Sequence, residues 1–163
     1  MNILTVSFFG HRDFIYNKQH ELVFKKIIID LLQTYDYINF LVGRNGEFDI
    51  FVSSMIRETR KEYSYSNFSL TWILPYVTSD FLKNQIYYEK YYDDIEICYK
   101  SSMSHFKSAI KIRNIEMVDR SDLIICNIEH NSGGAFKTIQ YAQKISKKII
   151  NIYNIINCDD FKI

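Results

Sequence analysis

The sequence lacks the marks of several large classes of protein. Proline occurs once, at Pro75, and no linker, repeat or low-complexity stretch interrupts the 163 residues. The three cysteines, Cys98, Cys126 and Cys158, form neither a CxxC pair nor a Cys/His cluster of the zinc type. We therefore expect no metal site and no cofactor, and the odd, scattered cysteine count suits a reducing compartment.

The first residues do not have the pattern of a targeting segment, and the chain has no excess of charge of one sign. Residues 1–9 carry no basic residue and stop at Gly10, which is too short for a signal peptide or a membrane span. We therefore expect a cytoplasmic protein with no membrane partner. Twenty basic and 19 acidic residues leave a net charge of +1, which gives no general reason to expect a nucleic-acid partner.

What the sequence has in quantity is apolar and aromatic residues. Hydrophobic residues make up 47% of the chain, with 13 Tyr and 12 Phe, and this composition excludes a disordered protein. The length suits one domain over residues 1–163 and allows a substantial core.

Strand-like and helix-like runs alternate along the chain, which is typical of βαβ units with a parallel sheet. Residues 17–35 have apolar side chains at helical spacing, and so does the run that begins at Phe48. Residues 76–103 predict a short helix or loop followed by a short strand at 95–98. The other predicted strands are 3–9, 38–42, 68–74, 123–128 and 149–156, and the other predicted helices are 104–119, with Ser104 as N-cap, and 133–146. We therefore predict a three-layer, Rossmann-like α/β fold whose mainly parallel central sheet is flanked by helices.

Ligands of open parallel sheets bind beyond the carboxyl ends of the strands. The first strand is followed by Gly10-His11-Arg12, in which the glycine allows a sharp turn, Arg12 could clamp a phosphate and His11 could add a donor. The alternative is an ordinary turn with a solvated arginine.

The loop after the second strand contains Gly43 and Gly46, which open a helix and form a natural anion cradle. Glu47 and Asp49 follow in the first helical turn. Either could accept ribose hydroxyls or polarise water, or both could simply complement the helix dipole.

Arg113 interrupts the apolar stripe that Phe106, Ala109, Ile110 and Met117 form on the helix over residues 104–119. A charged residue on a buried stripe is costly unless it is paired. The pattern allows a structural ion pair, with Asp119 or Asp122, or an arginine that reaches into a ligand site.

The loop after the 123–128 strand ends in Ser132-Gly133-Gly134, and the following helix carries Lys137 and Thr138. A diglycine at a helix N-terminus leaves amides free for phosphate oxygens, and the two side chains could add a charge and a hydroxyl. The spacing is neither that of a Walker A loop nor G-x-G-x-x-G. Simple capping is the alternative, and His20, His105 and His130 are interpreted as surface or capping residues.

Together these segments resemble the small YpsA-like proteins of the Smf/DprA–LOG (SLOG) superfamily of Rossmann-like nucleotide-binding domains. The similarity lies in Gly10-His11-Arg12, in residues 46–49, in residues 113–122, which match R-N-x-x-M-V-D-x-S-D, and in the diglycine loop over 132–138. The resemblance spans roughly residues 3–153. It implies a nucleotide or a nucleotide-derived signal as ligand, and Arg113 and Asn114 among the residues that bind it.

The LOG branch of this superfamily cleaves the base from nucleoside 5′-monophosphates with the motifs R-x-x-E-M and P-G-G-x-G-T-x-x-E. Arg113, Glu116 and Met117 match the first motif, but Gln140 stands where the catalytic glutamate of the second would fall. An amide cannot act as a general base or stabilise an oxocarbenium-like centre. We therefore expect a binding or sensing domain.

The alternative is a phosphoribohydrolase, or N-glycosidase, in which Glu47, Asp49 or Glu116 supplies the carboxylate. The resemblance also implies a homodimer, for which the aromatic-rich residues 81–99 are a candidate interface.

Overall fold

The computed structural model describes residues 1–158, which contain six strands and eight helices. In chain order they are β1 (Ile3–Gly10), α1 (Lys18–Thr34), β2 (Tyr37–Val42), α2 (Glu47–Tyr63), β3 (Phe68–Leu74), α3 (Ser79–Lys83), α4 (Gln85–Tyr91), β4 (Asp94–Ile97), α5 (Tyr99–Ser102), α6 (Phe106–Arg120), β5 (Leu123–Asn127), α7 (Gly133–Lys144), β6 (Lys148–Asn151) and α8 (Ile152–Asn157). The predicted single domain extends over 159–163, which lie outside the described residues.

The six strands form one sheet in the order β4-β3-β2-β1-β5-β6, and every neighbouring pair is parallel. The chain moves outward from β1 through β2 and β3 to β4, then crosses back to β5 on the other side of β1. The loops that follow β1 and β5 therefore diverge, which is the place where open α/β sheets hold their ligands. The predicted Rossmann-like α/β fold is confirmed.

Helices cover both faces of the sheet. On one face, α1, α2 and α8 enclose a core with Phe8, Phe24 and Phe40 at its centre, all at most 1% exposed. On the other face, α6 and α7 pack over a smaller cluster that includes Met117 and Ile139. Coverage of both faces explains why the central strands read as nearly unbroken apolar runs.

Three local predictions were wrong. Helix α6 begins at Phe106 with His105 as its N-cap, because the side chain of His105, not that of Ser104, accepts the amide of Lys107. Phe106 is 62% exposed and does not belong to the buried stripe, since it lies in the first turn of α6. The last strand ends at Asn151, whose side chain accepts the amide of Tyr153 and starts α8.

Residues 81–99 divide between a packed and an exposed set of side chains. Tyr88 and Tyr92 are buried and pack against Trp72, and the guanidinium of Arg44 bonds the hydroxyl of Tyr92. Ile86 and Tyr87 are exposed. A homodimer through this region stays a prediction. Within residues 1–158, no helix combines the length and the apolar composition that a membrane crossing requires.

Gly10 and Gly134 offer a matched pair of alanine substitutions. A Cβ at Gly10 would overlap the ring of Phe48, whereas a Cβ at Gly134 would meet nothing within 4 Å. We expect Gly10→Ala to lower the free energy of unfolding by about 1–3 kcal/mol through overpacking. Gly134→Ala should leave it unchanged or raise it by up to about 1 kcal/mol, because alanine favours the helix. Urea denaturation followed by circular dichroism checks this, and equal stabilities of the two variants would contradict the packing of Gly10 on α2.

Candidate functional site

A cleft of about 270 Å³ opens at the carboxyl edge of the sheet, where the loops after β1, β2 and β5 meet helix α6. Its lining residues are Phe8, Phe9, Gly10, His11, Arg12, Asp13, Gly43, Asn45, Gly46, Asp49, Ile110, Arg113, Asn114, Met117, His130, Gly133, Gly134 and Ala135. Segments that are far apart in sequence thus converge on one space.

The structure brings most of the predicted binding residues into this lining. Those that line the cleft are Gly10, His11, Arg12, Gly43, Gly46, Arg113, Asn114, Gly133 and Gly134. Glu47, Ser132, Lys137 and Thr138 lie outside it. Of the three carboxylates that the hydrolase alternative requires, Asp49 lines the cleft, whereas Glu47 and Glu116 do not.

Arg113 is the most deeply buried charged residue of the cleft, at 2% exposure. Its guanidinium donates to the carbonyl of Ile73 at 2.6 Å, to Asn45 Oδ1 at 2.7 Å and to Asn114 Oδ1 at 2.9 Å. All three acceptors are neutral, and within residues 1–158 Arg113 makes no ion pair with a carboxylate. Burial lowers the pKa of Arg113, and the negative charge of Asp49 opposes this shift.

The ion pair with Asp119 or Asp122 that the sequence allowed is not formed. Asp122 accepts the backbone amide of Thr5 at 2.9 Å, and Asp119 accepts the hydroxyl of Tyr141 at 2.7 Å. Both carboxylates lie at the end of α6 away from the cleft, because α6 runs from the carboxyl edge of the sheet towards the opposite edge.

Asp49 is the carboxylate whose charge most affects the pKa of Arg113. Its Oδ2 accepts the backbone amide of Asn45 at 2.8 Å. Burial raises the pKa of Asp49, and the positive charge of Arg113 opposes that rise. A Cβ at Gly43 would lie 2.9 Å from Asp49 Oδ2 and 3.0 Å from Arg113 Nη2, so a larger residue there would displace the ends of these two side chains.

The loop after β1 packs closely on the start of α2. A Cβ at Gly46 would lie 2.7 Å from the Cα of Arg12, and the amide of Glu47 donates to the carbonyl of Arg12 at 3.1 Å. This contact holds an exposed Arg12 at the mouth of the cleft. Arg12 and Arg113 therefore approach the same space from two separate stretches of chain.

The diglycine lies on the opposite wall of the cleft and begins helix α7. Gly133 has φ of +88°, a conformation that residues with a side chain rarely adopt. A Cβ at either glycine would meet nothing within 4 Å, so the space in front of both residues is open. Ser132 occupies the N-cap position but makes no capping hydrogen bond. The first amides of α7 are therefore free of a side-chain cap, and the residues that carry them line the cleft.

His11 links the loops after β1 and β5. It is 6% exposed, and its Nε2 is the acceptor for the backbone amides of Glu129 at 3.3 Å and His130 at 3.5 Å. The rings of His11 and His130 stack, with centroids 3.6 Å apart and planes inclined by 11°. An Nε2 that accepts must be unprotonated, so His11 is neutral in this arrangement.

The sequence interpretation missed His130 and Asn45 as cleft residues. Both lie inside loops that were singled out for their glycines, so the position of each within its loop was the available signal. Among residues 1–158, no group of three or more His, Cys, Asp or Glu side chains is placed to hold a metal ion.

The neutral state of His11 predicts a pH dependence of stability. Burial, with His130, lowers the pKa of His11 from its usual 6.5, while Asp13 and Glu129 oppose this. The folded protein then binds fewer protons than the unfolded chain just below pH 6.5, so stability is full above that pH and is lost as the pH falls towards the lowered pKa.

We expect His11→Gln to reduce the loss of unfolding free energy between about pH 7.5 and about pH 5.5. Part of the loss should remain, because burial also lowers the pKa of His20. Urea denaturation across this range checks the prediction through the slope of stability against pH. Identical slopes for the wild type and His11→Gln would contradict a neutral, buried His11.

Neither a protein-family model nor a curated protein matches the chain. Solved structures do. The DNA processing protein A (DprA) of Streptococcus pneumoniae has a TM-score of 0.62 and 12% identity, covering 90% of this chain and 49% of that protein. The DprA of Helicobacter pylori has a TM-score of 0.64 and 14% identity, covering 95% of this chain and 72% of that protein. This chain thus spans about half the length of the first of these proteins.

At these identities the likeness shows the fold, and the fold agrees with the six-stranded parallel sheet. The Helicobacter pylori protein has a single-stranded DNA binding mode. That finding corrects the expectation that nucleic acid could be excluded as a partner, because net charge averages over the whole surface and says nothing of where the charges lie. The structural neighbours of this chain are DprA proteins of the SLOG superfamily, and nothing among the comparisons points to its YpsA-like branch.

Proposed function

We propose that the cleft binds the phosphate of a nucleotide or of a nucleotide-derived ligand. The observation that carries this proposal is Arg113, a desolvated guanidinium in the wall of an open cleft whose hydrogen-bond partners are all neutral. A buried charge that no carboxylate contacts directly is unfavourable, and an anion in the cleft would add its negative charge to that of Asp49.

The other walls of the cleft favour phosphate over a simple carboxylate. The uncapped amides at Gly133 and Gly134 can donate to several oxygens of one group, and the helix dipole of α7 adds a positive field. Arg12 at the mouth can bind a further oxygen. Pockets that enclose a drug-sized ligand commonly measure about 300–1,000 Å³. A cleft of about 270 Å³ therefore suits the phosphate-bearing part of a ligand, with the remainder on the surface.

Arg113→Met tests this proposal. We expect at least a tenfold loss of affinity for whichever of a panel of nucleotides, ADP-ribose and cyclic nucleotides binds the wild type, because a hydrogen bond to a charged group is worth about 1.5–3 kcal/mol. Arg12→Met should have a smaller effect, since Arg12 is exposed. Isothermal titration calorimetry measures both.

Lys144→Met is the matched control, because it removes the same charge from the exposed last turn of α7. Equal losses of affinity in Arg113→Met and Lys144→Met would show that the net charge of the protein, and not the position of Arg113, causes the loss. No binding of any panel member to the wild type would overturn the proposal itself.

The hydrolase alternative now depends on Asp49, which is the one candidate carboxylate in the cleft lining. Its raised pKa is the property that a general acid needs. Chromatography of the binding mixtures for free base distinguishes turnover from binding, and turnover that Asp49→Asn leaves intact would remove this alternative.

A second candidate ligand is single-stranded nucleic acid, which the surface next to the cleft favours. Residues 97–111 contain three exposed lysines and no acidic residue. Tyr99 and Phe106 are 74% and 62% exposed, and Ile110, one helical turn after Phe106, lines the cleft. Exposed aromatic rings beside lysines are what single strands use for base stacking and phosphate contact.

Tyr99→Ala and Phe106→Ala distinguish a strand from a mononucleotide. A stacked base is worth about 1–3 kcal/mol, so each variant should bind a short oligonucleotide about five- to a hundredfold more weakly while its affinity for a mononucleotide stays the same. Tyr63→Ala is the control, because Tyr63 is also exposed but lies at the end of α2 far from the cleft. Fluorescence anisotropy of a labelled oligonucleotide measures the affinities. Equal affinities of all three variants would show that the surface around Tyr99 and Phe106 does not bind the strand.

A further inference from the structure

The N-cap of helix α7 departs from the usual behaviour of a serine at this position. An N-cap serine normally accepts the amide of the second or third helical residue, here Gly134 or Ala135. Ser132 does not do so. Its Oγ instead lies within hydrogen-bond distance of Nδ1 of His130, at 2.9 Å. The amides that a serine cap would bind therefore have no side-chain acceptor.

His130 is in turn fixed by His11. The two rings stack at 3.6 Å, and the buried Nε2 of His11 accepts the amides of Glu129 and His130. His11 belongs to the loop after β1. Its contacts therefore link the conformation of the loop after β5 to the neighbouring loop, at the place where the two diverge. The contacts thus form a series: the buried His11 stacks on His130, and His130 forms a hydrogen bond with the hydroxyl of Ser132.

We propose that His11 and His130 are positioning residues that hold Ser132 away from helix α7 and so keep its anion site uncapped. Without His130, the hydroxyl of Ser132 is free to accept the amide of Gly134 or Ala135, and that internal cap competes with the ligand for the same donors. The inference rests on the proposed phosphate site, and it adds a residue-specific reason why that site is preorganised.

Burial and His130 lower the pKa of His11, whereas Asp13 and Glu129 raise it. The Nε2 of His11 accepts the amides of Glu129 and His130, and the lowered pKa favours this unprotonated form.

A rescue experiment tests the proposal with inorganic phosphate as the probe, by following the Gly134 and Ala135 amide signals in ¹⁵N NMR titrations. A serine cap is worth about 1 kcal/mol, so His130→Ala should weaken phosphate binding about fivefold. The double variant His130→Ala/Ser132→Ala should bind as tightly as the wild type, because it has no hydroxyl to form the competing cap. Asn131→Ala, at the exposed neighbouring position, is the control for a general loosening of the loop.

Two outcomes would overturn the proposal. His130→Ala could bind like the wild type, which would show that His130 does not control the cap. The double variant could stay as weak as His130→Ala, which would show that His130 contacts the anion directly. If the wild type itself fails to bind phosphate, the proposed function fails, and that result is distinct from either of these.

A second readout does not depend on ligand. Ser132→Ala should shift the unfolding equilibrium of the wild type by much less than a lost cap would, because it removes only the exposed hydrogen bond to His130. In the His130→Ala background it should shift that equilibrium about fivefold towards the unfolded state, because there it removes a cap. The same effect of Ser132→Ala in both backgrounds in urea denaturation would reject the coupling between His130 and Ser132.

Discussion

The desolvated guanidinium of Arg113 is the constraint on which the carboxyl edge of this domain depends. A planar cation removed from water requires acceptors at fixed positions, and they come from three elements: the end of β3 at Ile73, the loop after β2 at Asn45 and the next residue of α6 at Asn114. Each of these contacts ties a separate segment to the cleft. The three acceptors are neutral, and the carboxylate of Asp49 acts on the guanidinium through its charge without a direct ion pair.

The topology of the sheet explains how the other groups reach this cation. The crossover from β4 back to β5 makes the loops after β1 and β5 diverge on either side of the central strand. Three close approaches pack the loops after β1 and β2 against α2 and α6: Gly10 against Phe48, Gly46 against the backbone of Arg12, and Gly43 between Asp49 and Arg113. In each case the absence of a side chain permits the contact.

The helices and strands that the sequence predicted well are those with a strong period or an unbroken apolar run. The third strand was placed at its observed bounds, Phe68–Leu74, because it is bounded by polar residues and by Pro75. Predictions failed where a single hydrogen bond decides a boundary. Asn151 ends the last strand because it caps α8, and His105 caps the start of α6. The spacing of apolar residues predicts neither boundary.

For the site, the sequence by itself determined the glycine-containing loops, their positions after the first, second and fifth strands, and the presence of a charge on an apolar helical stripe. These follow from local chain geometry and from the alternation of strands and helices. Only the tertiary structure decided that Arg113 would have neutral partners, and that His11 would stack on a histidine more than a hundred positions away, as its bond to the amide of His130 shows. Such pairings depend on which loops the strand order brings together, and strand order is set by long-range packing that no local pattern encodes.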